Sequence, residues 1–388
     1  MGLKIALDLT CLPAQLGGVG FYLTHLIEGF QELQADDEFV LLLPASRQPL
    51  VQVSAPHVRV VCLSDRSRPA RLWWEQAELV TLAQELGVHV LHSPHYTRPL
   101  RALPCASVVG LMDMTFFLLP EEHTAVKRTF FRFMIPRSAA LADRLLAISE
   151  STKRDACEYL GIDPARIDVT LLAPGRHYRA DLPERIRRDV ATRYKLPGHY
   201  ILFVGTLEPR KNLPRLLVAY EALAREGSAP PLVLVGARGW HTTELEARLA
   251  SARTAGTVLE LGYVPEEDLP AVYAGATVFV YPSLYEGFGI PVAEGLASGV
   301  PVITSNRSSM PEVAGDAAVL VDPLSSEEIA SAIRKLLDDD RLRADLSRKG
   351  LARAAALSWR NTAAQTVECY RRAYATWRAV KEPGRVNA

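Results

Sequence analysis

No stretch of these 388 residues approaches the ~18 uninterrupted apolar residues that a membrane-spanning helix needs. Nor is there a Cys-x-x-Cys pair. The five cysteines (Cys11, Cys62, Cys105, Cys157 and Cys369) are odd in number and far apart, so neither a disulfide framework nor a zinc site is indicated. Net charge is also missing. Lys plus Arg and Asp plus Glu both total 44, which leaves no overall field to draw the chain to nucleic acid or to an anionic bilayer. Lysine itself is scarce, 8 residues against 36 arginines, so each lysine stands out. No self-similar period of 20–50 residues is present, which argues against a solenoid. Met1-Gly2-Leu3-Lys4-Ile5 runs into a strand-like segment without a signal-peptide pattern, and the expectation is a reduced, cytoplasmic protein.

What is present is an ordinary globular mixture, 48% hydrophobic and 23% charged, long enough for two domains of about 150–200 residues. Short apolar runs at Lys4–Leu9, Phe39–Leu43, Val58–Leu63, Val88–His92, Val108–Leu111 and Arg144–Ile148 read as buried strands. Amphipathic stretches at Tyr22–Leu33, Leu72–Leu86 and Ala125–Ala142 lie between them. That alternation predicts an α/β fold with a parallel sheet. It pauses over Ala173–Pro197, which is proline- and charge-rich with no clear strand. A second series then runs through Tyr200–Val204, Leu232–Val235, Val258–Leu261, Val278–Tyr281, Val300–Thr304 and Ala318–Val321. Trp359–Val380 closes the chain as a helix, with Lys381–Ala388 as a frayed tail. The domains are placed at 1–178 and 179–365, with the terminal helix, 366–388, packing back on the first.

Three glycine-bearing junctions carry the chemistry. The first is Glu286-Gly-Phe-Gly-Ile-Pro-Val-Ala-Glu294, which follows the strand ending at Tyr281. Pro291 suits a first helical turn. Gly287 and Gly289 allow close approach of the backbone, and the amides of a helix start can face phosphate oxygens. The two carboxylates, eight residues apart, can grip separate hydroxyls of an extended ligand; a capped strand-to-helix junction without ligand would look much the same. The second is Val204-Gly-Thr-Leu-Glu-Pro-Arg-Lys-Asn212. Its adjacent Arg210 and Lys211 suit a diphosphate that gains charge as it leaves, although a solvated basic turn is the plainer reading. The third, Gly17-Gly-Val-Gly-Phe-Tyr22, brings glycines to the entry of the first helix but lacks the full dinucleotide fingerprint and its acidic residue about 20 positions on, which sets aside an NAD-dependent dehydrogenase.

With these motifs in place the chain resembles the retaining glycosyltransferases of family 4, over nearly its whole length. The resemblance implies the GT-B architecture, two Rossmann-like domains with parallel sheets facing a central cleft, closing on a sugar-nucleotide donor. Glu286 and Glu294 match the family's E-x7-E motif. On that likeness Glu286 lies near the donor sugar, Glu294 binds the ribose, and the amides around Gly287, Phe288, Gly289 and Ile290 meet sugar and diphosphate. Arg210 and Lys211 match the family's phosphate-binding pair. Many members have Arg directly after the glycine, where this chain has Thr206. Gly18 and Gly20 resemble the loop that faces the diphosphate and acceptor, and Tyr263-Val264 the segment that cradles the nucleobase. Gly236 to Trp240 sits at another strand end. Trp73-Trp74-Glu75-Gln76 and His92-Ser-Pro-His95 resemble family segments to which no role is given, the tryptophans reading as core or interface and His95 as a structural or acceptor-site group.

One position departs from the family. Where many members carry a His-Asp pair, this chain reads Met112-Asp113, and a thioether cannot replace an imidazole in hydrogen bonding. Asp113 stays as a candidate catalytic residue beside Glu286, Arg210 and Lys211. The resemblance implies no cofactor and no obligatory metal, since Asp338-Asp339-Asp340 reads as a solvated helix end. The implied partners are a sugar nucleotide, GDP-mannose by likeness to bacterial mannosyltransferases or else a UDP-sugar, and a saccharide or lipid-linked acceptor. A non-catalytic sugar-nucleotide binder and an epimerase on the same architecture are the rival readings. Lys127-Arg-Thr-Phe-Phe-Arg-Phe-Met-Ile-Pro-Arg137 interleaves cations with aromatics. It reads first as a surface helix with a buried aromatic face, and second as a peripheral contact with the inner membrane face.

Overall fold

The structure is a computed structural model that describes residues 2–14, 17–33, 36–227, 229–239, 249 and 257–381. The chain forms two compact units, Met1–Leu172 with Trp359–Ala388, and Ala173–Ser358. These divisions fall at 172 and 358, against 178 and 365 in the sequence reading. The last strand of the first unit ends at Val169, and the terminal helix rejoins that unit from its first residue, Trp359.

The first unit is built on a parallel seven-stranded sheet. Its strands are β1 (Lys4–Asp8), β2 (Glu38–Pro44), β3 (Val58–Leu63), β4 (Val90–Ser93), β5 (Ala106–Leu111), β6 (Arg144–Ala147) and β7 (Ile167–Val169), in the order β3-β2-β1-β4-β5-β6-β7. Central strands such as β5 are buried at every residue, as expected of parallel strands covered on both faces. Strand order reverses between β1 and β4, and their carboxyl ends form the switch point of the sheet. β7 has no counterpart in the sequence reading: three residues, only one of them fully buried, are too short to show a period. The expected helix over Leu72–Leu86 is two helices, Arg68–Ala77 and Leu79–Glu85, that meet at Glu78.

The terminal helix Trp359–Lys381 lies on helix Gly18–Gln31 within this unit, and Gly29 permits the contact. A Cβ on Gly29 would stand 2.3 Å from the Trp359 carbonyl oxygen and 2.9 Å from the Ala363 methyl. Further along, Tyr370 Oη pairs with His92 Nδ1 at 2.8 Å, and Arg371 donates to Asp37 at 2.8 Å. Gly29→Val should therefore lower the free energy of unfolding by about 1–3 kcal/mol, the usual penalty of overpacking, as read from urea denaturation. An unchanged midpoint would mean that the two helices can separate without loss.

The second unit carries a parallel six-stranded sheet of β8 (Ile201–Val204), β9 (Leu232–Val235), β10 (Val258–Gly262), β11 (Val278–Tyr281), β12 (Val302–Ser305) and β13 (Ala318–Val321), ordered β10-β9-β8-β11-β12-β13. Its order reverses between β8 and β11, so the loops that leave those two strands stand side by side. The charged stretch read as part of a pause forms helix Glu184–Tyr194, ended by Lys195 in the left-handed region; with Val190 its one buried residue, it has no clear apolar period. Asp339 caps helix Asp340–Ala355, accepting from the Leu342 amide at 2.9 Å. Trp240 and the tail beyond Lys381 lie outside the described residues.

In helix Ala125–Leu141 the aromatics divide. Phe131 stacks on Phe116 at 4.3 Å between ring centres, while Phe133 is half exposed with the Arg137 guanidinium 3.6 Å from its ring centre. No helix among the described residues is long and apolar enough to cross a membrane.

Candidate active site

The loops leaving β8 and β11 converge on one cluster of charges in the second unit. After β8 the chain turns at Gly205, makes a single 3-10 turn over Pro209–Lys211 and enters helix Leu213–Arg225. Asn212, at φ +60°, sits between them and pins the turn, its amide donating to the carbonyls of Pro282 at 3.0 Å and Pro323 at 2.6 Å. The turn is thereby held against the loops that follow β11 and β13.

Glu286 is the centre of the cluster. Its Oε1 accepts from Lys211 Nζ at 2.5 Å, Ser283 Oγ at 2.7 Å and Tyr281 Oη at 2.8 Å. Its Oε2 accepts from Arg210 Nη1 at 2.6 Å. The same Nη1 donates to the Tyr285 carbonyl at 2.8 Å, and Nη2 to Glu208 Oε1 at 2.6 Å. Lys211 also donates to Tyr281 Oη at 2.7 Å and stands 3.9 Å from Glu208. Two cations and two carboxylates thus form one nearly buried network. Burial works to raise the Glu286 carboxyl, but Arg210 and Lys211 outweigh it and hold the group at about 2. Lys211 is lowered by burial and by Arg210, against the pull of Glu286 and Glu208. Such a network keeps its charge only because nearly every donor and acceptor is matched.

Beyond Glu286 the backbone is tied down from the other side. The Glu286 amide donates to Ser308 Oγ at 3.0 Å, and Ser309 Oγ donates to the carbonyls of Glu286 and Phe288 at 3.0 and 2.7 Å. Gly289, at φ +98°, caps helix Ile290–Ala297, and a Cβ there would lie 2.3 Å from Met310 Cε. The left-handed backbone is what favours glycine here, since the Met310 methyl is the end of a flexible side chain. Pro291 has no N–H and the Val292 amide donates to the Gly289 carbonyl at 2.9 Å, which leaves the Ile290 amide at the open start of the helix.

Glu294 lies in the second turn of that helix and takes no part in the charge network. It is buried, accepts from Tyr273 Oη at 3.1 Å, and is also hydrogen-bonded by Tyr178. Burial, reinforced by Glu266, lifts its carboxyl to about 8. The folded unit therefore holds a proton that the unfolded chain releases near the ordinary value of 4.5. This contribution to stability is complete below about pH 4.5 and is lost as pH rises through about 8. Glu294→Gln should flatten the fall in melting temperature between pH 5 and pH 8.5 relative to the parent protein. Parallel curves would show that Glu294 is ionised throughout.

The remaining candidates are placed as follows. Thr206 is exposed directly after Gly205, Tyr263 is exposed after β10, and Val264 beside it is buried. Gly18 and Gly20 open helix Gly18–Gln31 in the first unit, with Gly17 as its cap. Asp113, in the same unit, accepts through Oδ1 from Tyr96 Oη at 2.8 Å, Thr115 Oγ1 at 2.7 Å and the Thr115 amide at 3.0 Å. His123 Nε2 lies 3.0 Å from that Thr115 hydroxyl, and Met112 is buried. His95 is lowered to about 4, by burial first.

Several groups escape a reading by motif. Glu208 sits inside the second motif, yet only its cations suggest chemistry from sequence. Tyr281, Ser283, Tyr273 and Tyr178 read as core or turn residues until their hydroxyls are seen on carboxylates. In the first unit Asp8 and Glu75 form a buried acidic pair near Arg71, with Glu75 raised to about 7 by burial and by Asp8. An acid directly after the apolar Ile5-Ala-Leu7 run is the signal for Asp8.

Comparison with known proteins identifies the family of the chain. The family model "Glycosyl transferases group 1" matches residues 189–353, and "Glycosyltransferase Family 4" matches residues 16–171. The chain is 36% identical over 285 residues to O-antigen chain mannosyltransferase B of Escherichia coli, covering 73% of this chain and 74% of that one. It is 31% identical to the serotype-specific mannosyltransferase WbdA of Escherichia coli over 72% of its own length, and spans only about a third (35%) of that longer protein. Among solved structures, sucrose-phosphate synthase from Thermosynechococcus elongatus superposes with a TM-score of 0.73, covering 96% of this chain and 99% of that one; at 20% identity this is a likeness of fold.

Proposed function

Because this chain belongs to the group 1 glycosyltransferases of family 4 and is a glycosyltransferase, we propose that it transfers mannose from GDP-mannose, with retention, to a saccharide or lipid-linked acceptor of polysaccharide assembly. The observation that carries this reading is the junction of Arg210, Lys211 and Glu286 at the switch point of the second sheet. The donor's diphosphate docks on the two cations and against the amides at Phe288, Gly289 and Ile290. As the glycosidic bond breaks, the leaving diphosphate gains charge, and cations already fixed by Glu286 stabilise it without reorganising. Glu294 takes the ribose hydroxyls, and the exposed Tyr263 ring with Val264 covers the base. Thr206 completes the donor contacts of this unit.

Retention follows if the acceptor attacks on the face from which the diphosphate departs, with a phosphate oxygen taking the acceptor proton. Such a site needs no protein nucleophile. The mannose donor is favoured by the names of the two Escherichia coli relatives. A thermal-shift screen of GDP-mannose, UDP-glucose, GDP and UDP tests it, followed by mass spectrometry for slow hydrolysis of the donor. GDP-mannose should give the largest shift and release free mannose. A larger response to UDP-glucose would replace mannose by glucose, and binding without transfer or hydrolysis would support the non-catalytic alternative raised by Met112.

A further inference from the structure

The two carboxylates of the charge network are held in different ways. Glu286 is anchored by neutral donors as well as cations, namely the hydroxyls of Tyr281 and Ser283, and its backbone is tied by Ser308 and Ser309. Among the described residues the Glu208 side chain has no partner except the two cations, Arg210 Nη2 at 2.6 Å and Lys211 Nζ at 3.9 Å. It is also on the same short loop as those cations, two and three residues before them, so moving it requires no change in the sheet.

The charge count sharpens the contrast. Arg210 and Lys211 are balanced by Glu208 and Glu286, so the cluster offers no net positive charge to an arriving anion. A nucleoside diphosphate meets like charge there unless one carboxylate withdraws. Glu208 accepts a single bond, from Arg210 Nη2, while Nη1 stays on Glu286 and the Tyr285 carbonyl, so one phosphate oxygen can take the place of Glu208 Oε1 without moving Arg210.

Resting on the reading that a diphosphate docks at Arg210 and Lys211, we propose that Glu208 is a built-in occupant of the phosphate position, which holds the Arg210 fork in line and yields it to the donor's diphosphate. Glu286 is the fixed anchor and Glu208 the exchangeable one. The same exchange helps to expel the product: when Glu208 returns to Arg210 it competes with the nucleoside diphosphate left after transfer.

Titration calorimetry with GDP and UDP tests the exchange. Glu208→Gln keeps the shape and removes the competing charge. It should tighten binding of the preferred nucleoside diphosphate by about tenfold and lower that product's inhibition constant in step, with kcat falling as release slows. Weaker or unchanged binding in a folded Glu208→Gln protein would overturn the proposal and make Glu208 a fixed strut for Arg210. Should that variant fail to fold, Glu208→Asp, which draws the carboxylate back by one methylene, should tighten binding by a smaller factor, and unchanged or weaker binding there overturns the proposal equally. Arg210→Ala separates the two claims. Loss of diphosphate binding there, with no gain in Glu208→Gln, contradicts only the exchange; intact binding in Arg210→Ala contradicts the docking site itself.

Discussion

Glu286→Ala should abolish transfer, to less than about one thousandth of the parent kcat/KM, and should destabilise the second unit in the same step. The carboxylate receives both cations as well as the hydroxyls of Tyr281 and Ser283. Its loss leaves Arg210 and Lys211 buried with Glu208 alone between them, and breaking a buried pair in this way costs about 3–5 kcal/mol. Glu286→Gln separates the two effects. The amide keeps the volume and part of the hydrogen bonding, so the protein should melt closer to the parent while activity stays low. Because Arg210 and Lys211 hold Glu286 at about 2, its charge is present throughout the neutral range. The pH profile of kcat should show no limb belonging to this residue. Substantial activity in folded Glu286→Gln would remove the electrostatic role assigned to it.

Lys211→Met is expected to be the next most damaging change. The substitution keeps most of the stem buried against Tyr281 and removes only the charge. Removing one preorganised donor to a developing charge costs about 100- to 1000-fold in kcat. KM for the donor should rise less than kcat falls, because the diphosphate is more negative when leaving than when bound. Stability should fall too, but by less than in Glu286→Ala, since Glu286 keeps Arg210, Tyr281 and Ser283 while two buried carboxylates are left to share one cation. Steady-state kinetics under saturating acceptor distinguish this from a binding role. An effect on KM alone would mean that Lys211 grips the donor equally before and during reaction.

Both results bear on what sequence alone could and could not convey. The six strands of the second sheet were legible because each is a short apolar run bounded by glycine, proline or polar residues. So were six of the seven strands of the first; β7 lies in a run that alternates too briefly to register. Helix Glu184–Tyr194 was lost for the opposite reason, because an almost wholly exposed helix carries charge without an apolar period. The break at Glu78 is a matter of packing, since both halves share a helical period across it.

The site shows the same division. Motifs point to Glu286, Arg210 and Lys211 as separate signals more than 70 residues apart, and only parallel strand order makes them neighbours. Chemistry supplied by hydroxyls could not be read in this way. Tyr273 and Tyr281 look like core residues and are buried as core residues, and their function lies in where one oxygen points. Glu294 shows how burial changes a motif's meaning. The spacing suggests a carboxylate ready for ribose, whereas the helix places it in a dry setting that raises it to about 8. Donor affinity should accordingly increase as pH rises toward that value, because hydroxyls donate best to the ionised form.

A crystal structure with GDP or UDP measures directly where a diphosphate binds. Phosphate oxygens should lie within about 3 Å of Arg210 and Lys211 nitrogens and of backbone amides between Phe288 and Ile290. A nucleotide seated away from these groups, with Arg210 and Lys211 still closed on Glu208 and Glu286, would contradict that placement.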